Sequence, residues 1–239
     1  MTTEQSAFPV LSQHADDGSL IVLTEVAGSD LVHSLAAMHE AVFPEYSFVT
    51  QLLRERAGST SQVPHVHTHQ WLLQVDGSPT GFVLFDTNVF RSIAIIHYIY
   101  LGPSTPALKL GQQRLHSWLT QKYHDQILAD SGGVQMLGVV AEKDWTSVPY
   151  VGRVGMRDLA VEYYEPKVGP RWQGPGSELR RLHLLWLPPA DADPDMLEAR
   201  ARHAGAAAFL LDHYQFDADI PWVAAAVGDE RDRRPPQAP

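Results

Sequence analysis

Ser92-Ile93-Ala94-Ile95-Ile96-His97-Tyr98-Ile99-Tyr100-Leu101, followed by Gly102-Pro103-Ser104-Thr105-Pro106, is the stretch that decides the fold. Its Ile and Tyr side chains suit a pleated, half-buried surface, and the run is short for a helix, so it reads as a central β-strand. The Gly/Pro segment predicts a loop at the strand's end. Over residues 107–128, Leu108, Leu115, Leu119 and Ile127, with Trp118 beside them, describe one face of an amphipathic helix that Ser131-Gly132-Gly133 terminates. Residues 134–141 then form a strand parallel to the first. This crossover sets the helix N-terminus beside the end of the central strand. Free backbone amides and a partial positive charge make such a terminus suited to a phosphate.

Upstream, residues 20–26 read as a strand, and Ser29 or Asp30 caps a helix with apolar positions Leu31, Leu35, Met38 and Val42 that stops near Pro44. A second helix covers 48–56, and residues 59–64 form a connector. Residues 71–75 and 81–86 make a hairpin across Asp76-Gly77-Ser78-Pro79. Downstream, a short helix is expected at 144–151, strands at 158–165 and 179–187, and between them a Gly/Pro-rich loop containing Trp172. Residues 194–213 predict an Ala-rich helix whose stripe of Leu197, Ala201, Ala204, Ala208 and Leu211 packs on the domain or forms a homodimer contact. The expected organisation is a polar leader (1–19), one α/β domain (20–187), a helical extension (188–228) and a disordered tail (229–239).

With 239 residues, 44% of them hydrophobic, the chain can bury a sizeable core. No apolar run approaches the roughly 20 residues of a membrane-spanning helix, and the first residues lack the pattern of a signal peptide, so a cytoplasmic location is expected. Zero cysteines exclude disulfides, thiolate metal sites and a cysteine nucleophile. A formal charge of −10 argues against nucleic acid and anionic membrane as partners and is compatible with a cationic amine.

The order β, α, α, β, β, β, α, β, α, β, β resembles the GNAT superfamily of acyl-CoA N-acyltransferases over residues 20–187. The sharper match is Leu101-Gly102-Pro103 with Gly111 eight positions after the proline, the family's spacing from strand end to the second glycine of its pyrophosphate loop. The family's loop arginine falls on Pro106 and its first glycine on Lys109. The resemblance implies a mixed, mostly antiparallel central sheet flanked by helices, here with an extra C-terminal helix. It also implies acetyl-CoA or another acyl-CoA as co-substrate, held by Ile99, Tyr100, Leu101, Ala107, Leu108, Lys109, Leu110, Gly111 and Gln112. The implied activity is acetyl transfer to a primary amine of a small molecule or peptide.

Under the same resemblance, His97 on the central strand is the candidate proton acceptor. Tyr150 is the candidate acid for the leaving thiolate, although the family's tyrosine position falls on Val151, one residue and about 100° of helix away. Glu40, Glu45 and Trp172 are the acceptor-site candidates. Two other readings stay open: a degenerate relative that binds a ligand or partner without acyl transfer, and a metal-dependent enzyme using His65, His67 and His69. In a strand those three imidazoles share one face, but no carboxylate soon follows them, so no metal site is assigned.

Overall fold

The computed structural model describes residues 8–55, 65–144, 155–166, 179–231 and 233. Tyr150 and Trp172 lie outside these residues, as do the connector at 59–64, most of the helix expected at 144–151, and the loop carrying Trp172. The chain divides into two compact units, one of Met1–Gln62, Thr68–Phe85 and His97–Ala129, the other of Val63–His67, Asp86–Ile96 and Asp130–Pro239.

In the first unit the strands β1 (Phe8–His14), β2 (Leu20–Glu25), β3 (Val66–Val75), β4 (Ser78–Asn88) and β5 (Ile93–Leu101) follow one another as neighbours, the last three running through both units. β1 is an addition to the expected leader. It pairs antiparallel with β2 from Phe8↔Glu25 to His14↔Leu20, with an irregularity between Pro9 and Leu11. The β3–β4 hairpin turns at Asp76 (φ 50) and Gly77 (φ 77), the pair of positive φ values that a two-residue turn matched to strand twist requires. Helices α1 (Val32–Val42) and α2 (Ser47–Glu55) bury Val32, Leu35, Ala36 and Leu53 against Val26, Leu72, Phe82 and Leu84. Ser29 does not cap α1, because its hydroxyl donates to the Val26 carbonyl instead.

After β5 the structure departs from the expected early helix. A 3-10 turn at Thr105–Ala107 leads into a small hairpin, β6 (Lys109–Leu110) with β7 (Gln113–Arg114), and helix α3 starts only at Leu115 and runs to Asp130. Gly111 takes φ 64 at the hairpin's turn, a backbone state that cannot continue a helix.

In the second unit β5 contributes Ile93–Ile96, which pairs in parallel with β8 (Val139–Lys143) from Ala94↔Val139 to Ile96↔Ala141. The strand expected from 134 begins later. Gly138 has φ 118, and a Cβ there would sit 2.3 Å from the Leu187 carbonyl oxygen, so only glycine fits where the backbone passes this close to Leu187 just before β8. The expected strand at 158–165 is split into β9 (Arg157–Asp158) and β10 (Tyr163–Pro166), with Ala160 at φ 51 between them. Both pair antiparallel with β11 (Leu179–Leu187), which in turn pairs antiparallel with β8. The sheet is therefore mixed and mostly antiparallel, with β5 and β8 as its parallel pair.

Helix α4 (Pro194–Ala207) is capped by the Asp193 carboxylate, which accepts the Asp195 amide at 3.0 Å. Gly205 lets it lie close on β8, since a Cβ there would be 2.9 Å from a Val140 methyl. Ala201, Ala204 and Ala208 sit fully buried with Val140, Leu184 and Trp186, and Leu197 and Leu211 pack against them, so the alanine stripe is core of this unit. The helix does not stay regular to residue 213. Ala208–His213 widens into a π-turn, closed by the Tyr214 amide donating to the Phe209 carbonyl at 2.8 Å. Helix α5 (Pro221–Val227) completes the unit. Among the described residues no helix is long and apolar enough to cross a membrane.

Candidate functional site

The phosphate-binding loop read at 107–112 is not a helix N-terminus. Two of its amides have partners of their own: Leu108 donates to the Thr105 carbonyl at 3.1 Å and Gly111 to the Asp16 carboxylate at 2.7 Å. Leu115 donates back to the Leu108 carbonyl at 3.1 Å, which ties the hairpin to the start of α3. Ala107, Lys109, Gly111 and Gln112 are exposed, Leu108 is half-buried and Leu110 is buried. The helix start lies eight residues later, at Leu115, with His116 and Ser117 exposed in the first turn of α3. Lys109 stands directly opposite Arg114 in the hairpin, both exposed. Two like charges facing each other repel, and an anion would relieve the repulsion.

On β5, Ile99 is exposed at 42%, while Tyr100 and Leu101 are half-buried and Tyr100 packs on the α1/α2 core. Gly102 closes the strand against Thr80, whose carbonyl accepts its amide at 2.8 Å, and a Cβ at that glycine would meet the same oxygen at 2.8 Å. His97 is half-buried with its Nε2 enclosed.

Of the acceptor-site candidates, Glu40 is exposed and pairs with Arg54 at 2.6 Å, an α1–α2 brace. Glu45 is exposed in the 3-10 turn Pro44–Tyr46. Beside them the sequence reading missed His39. It is fully buried, with rings of Phe43, Phe82 and Tyr98 at 5.4, 5.9 and 4.6 Å, and its Nδ1 is 2.9 Å from the Thr50 hydroxyl. Burial pulls its pKa down to about 4, against the opposing charge of Glu45, so the ring is neutral at pH 7.

The three-histidine cluster does not share one strand face. His65 precedes β3 in a left-handed conformation (φ 64), and only His67 and His69 belong to the strand. His69 stacks on Phe85 at 4.6 Å and its Nδ1 lies 2.9 Å from Glu25 Oε2. Glu25 Oε1 accepts the Ala27 and Gln70 amides, so this carboxylate fixes the β2–β3 corner and orients the ring.

The second unit holds a polar array that the sequence reading also missed. Asp86 and Asn88 occupy alternate positions at the end of β4 and are both buried. Asn88 donates to Asp212 at 2.6 Å. Arg91, 2% exposed, donates from Nε and Nη2 to the two oxygens of Asp212 at 2.6 and 3.0 Å and from Nη1 to Glu230 at 2.8 Å. His213 Nδ1 is 3.7 Å from Asp86, and the Tyr214 hydroxyl is 2.8 Å from Glu142. The visible signal was the polar run Asp86-Thr87-Asn88 closing an apolar strand, matched by Asp212-His213-Tyr214 after Leu210-Leu211.

No family model matches the chain, and no curated protein matches it. Solved GNAT acetyltransferases are similar to it at low identity. The Tetrahymena Gcn5 histone acetyltransferase catalytic domain in complex with coenzyme A aligns at 13% identity and TM-score 0.42, over 72% of this chain and 95% of that one. A GNAT-family acetyltransferase from Streptococcus pneumoniae aligns at 13% and 0.39, over 69% and 97%. A spermidine N-acetyltransferase chimera from Vibrio cholerae aligns at 9% and 0.43, over 70% and 95%.

Proposed function

We propose that the chain is an acyl-CoA-dependent N-acyltransferase that moves an acetyl group from acetyl-CoA to a primary amine of a small molecule or peptide. The observation that carries this reading is the crossover from β5 through α3 into the parallel β8, set in an otherwise mostly antiparallel sheet, in the element order the resemblance implies. The amides of Leu108 and Gly111 do not fit the pyrophosphate, because the Thr105 carbonyl and the Asp16 carboxylate take them. The first turn of α3 fits it better, with the exposed cations Lys109 and Arg114 beside exposed His116 and Ser117. In the transfer, an amine nitrogen attacks the thioester carbonyl carbon, the carbon–sulfur bond breaks, and the thiolate leaves with a proton. His97 is assigned the amine's proton, and Tyr150 remains the proposed acid for the thiolate. Trp172, Glu40 and Glu45 are proposed to face the acceptor.

A second reading, a fold relative that binds a ligand or partner without transfer, is favoured by the Asp16 carboxylate on the Gly111 amide, a negative charge where the loop match lies. Calorimetric titration with acetyl-CoA tests the co-substrate site, and turnover with an amine separates the two readings. The transferase reading expects a Kd on the order of micromolar, weakened at least about tenfold by Arg114→Glu or Lys109→Glu, each worth roughly one charge-assisted contact. Absence of binding by the unaltered protein overturns it.

A further inference from the structure

Between α1 and α2 the stretch Phe43-Pro44-Glu45-Tyr46-Ser47-Phe48 interleaves three aromatic residues with one acid. Their rings form a row with Tyr98 of β5. Tyr46 lies 6.2 Å from Phe48 and 5.7 Å from Tyr98, and Tyr98 lies 5.1 Å from Phe43. Phe82, at 6.3 Å from Phe43, is wholly enclosed as a core residue should be, whereas all four rings of the row belong to residues that keep part of their surface in solvent. Contiguous apolar surface of this kind marks a ligand or partner site.

Two polar groups adjoin the row. Glu45 is exposed and has no ion-pair partner among the described residues, whereas the charge of Glu40 is taken by Arg54 at 2.6 Å. The Glu45 charge acts on His39, whose ring is 4.6 Å from Tyr98 and 5.4 Å from Phe43. Fully buried, His39 spends only Nδ1, on the Thr50 hydroxyl, and its Nε2 is enclosed without a hydrogen-bond partner. A buried polar atom left in this state is unfavourable, and a ligand group that meets it removes the penalty. Burial keeps the ring neutral, so it does not repel a cation.

These features select a ligand. Aromatic faces attract an ammonium group, and one free carboxylate beside them matches one positive charge. A polyamine needs a second free carboxylate for its second ammonium. An amino sugar needs partners for hydroxyls that a row of rings strips of water. We propose that Phe43, Tyr46, Phe48 and Tyr98, with Glu45 and His39 beside them, bind an arylalkylamine, its ammonium on Glu45 and its aromatic body along the row. That this ligand is the acyl acceptor rests on the transfer reading, whereas its binding does not.

Calorimetric titration of the full chain with phenethylamine, spermidine and glucosamine, each without and with coenzyme A, tests the site. Phenethylamine is expected to bind at least about tenfold more tightly than the other two, as one desolvated aromatic contact supplies. Glu45→Gln, at an exposed position, is expected to weaken phenethylamine roughly fivefold and to leave phenethyl alcohol unchanged. Tyr46→Ala is expected to weaken both, and the His39 ring resonances are expected to shift when the amine binds. Absence of phenethylamine binding, equal affinity for the three amines, or binding that neither variant alters overturns the proposal. Phenethylamine that binds as expected but is never acetylated leaves the site standing and overturns transfer. Acetylation of spermidine or glucosamine in preference to phenethylamine overturns the site and leaves transfer standing.

Discussion

His39 carries its neutral form into the interior of the first unit, and the direction of its shift makes a pH prediction. Its folded-state value, about 4, lies below the ordinary 6.5, so the stability it contributes is present above pH 6.5 and is lost as pH falls through about 4. Denaturant titrations at pH 7 and pH 4.5 should show a smaller loss in His39→Gln than in the unaltered protein, and an equal loss would contradict the burial argument. The Glu142–Glu165 pair, whose carboxylates both contact the Tyr214 hydroxyl in the second unit, runs the other way. Its folded-state values, about 8 and about 7, lie above the ordinary 4.5, so its stabilising contribution is present below pH 4.5 and lost as pH rises through about 8. Glu142→Gln should therefore flatten the decline of melting temperature between pH 5 and pH 9. A third test at this scale is Gly138→Ala, which would force a Cβ to 2.3 Å from the Leu187 oxygen at φ 118. The expected cost is on the order of 2–4 kcal/mol, read from the urea midpoint.

Among the elements, α3 shows most plainly what a sequence conceals. Leu108 keeps step with Leu115 and extends the helical pattern backward, yet the chain folds a hairpin there. Gly111 adopts a positive φ, and its amide is taken by Asp16, a residue 95 positions away. No local periodicity carries that information. The β3–β4 hairpin was legible because Asp76-Gly77 fixes its turn locally, and β5 because its composition admits little else. The C-terminal array was hidden for the same reason as the hairpin. Arg91 meets Asp212 across 121 positions, and only burial makes that pair conspicuous. Replacing Arg91 with Met should cost about 3–5 kcal/mol, since it leaves Asp212 and Glu230 without their buried cation. Asp212→Asn should cost less, and the reverse order in chemical denaturation would show that the ion pair is not what holds the extension.

At the level of the whole chain, the mixed sheet with its β5–β8 parallel pair was legible from one crossover, because strand, loop, helix and strand in that spacing leave few topologies open. The site was less so. His97 and the β5 residues were placed by the strand they occupy, while His39, Asp86 and Tyr214 gain meaning only from partners distant in sequence. The most direct test of acyl transfer is to incubate the purified protein with acetyl-CoA and a panel of primary amines at pH 7.5, measuring free thiol and N-acetyl product together. The account predicts equal amounts of both with at least one amine, and a loss of both at saturating acetyl-CoA in His97→Ala. Bound acetyl-CoA that is never consumed would contradict transfer and leave a ligand-binding relative of the fold.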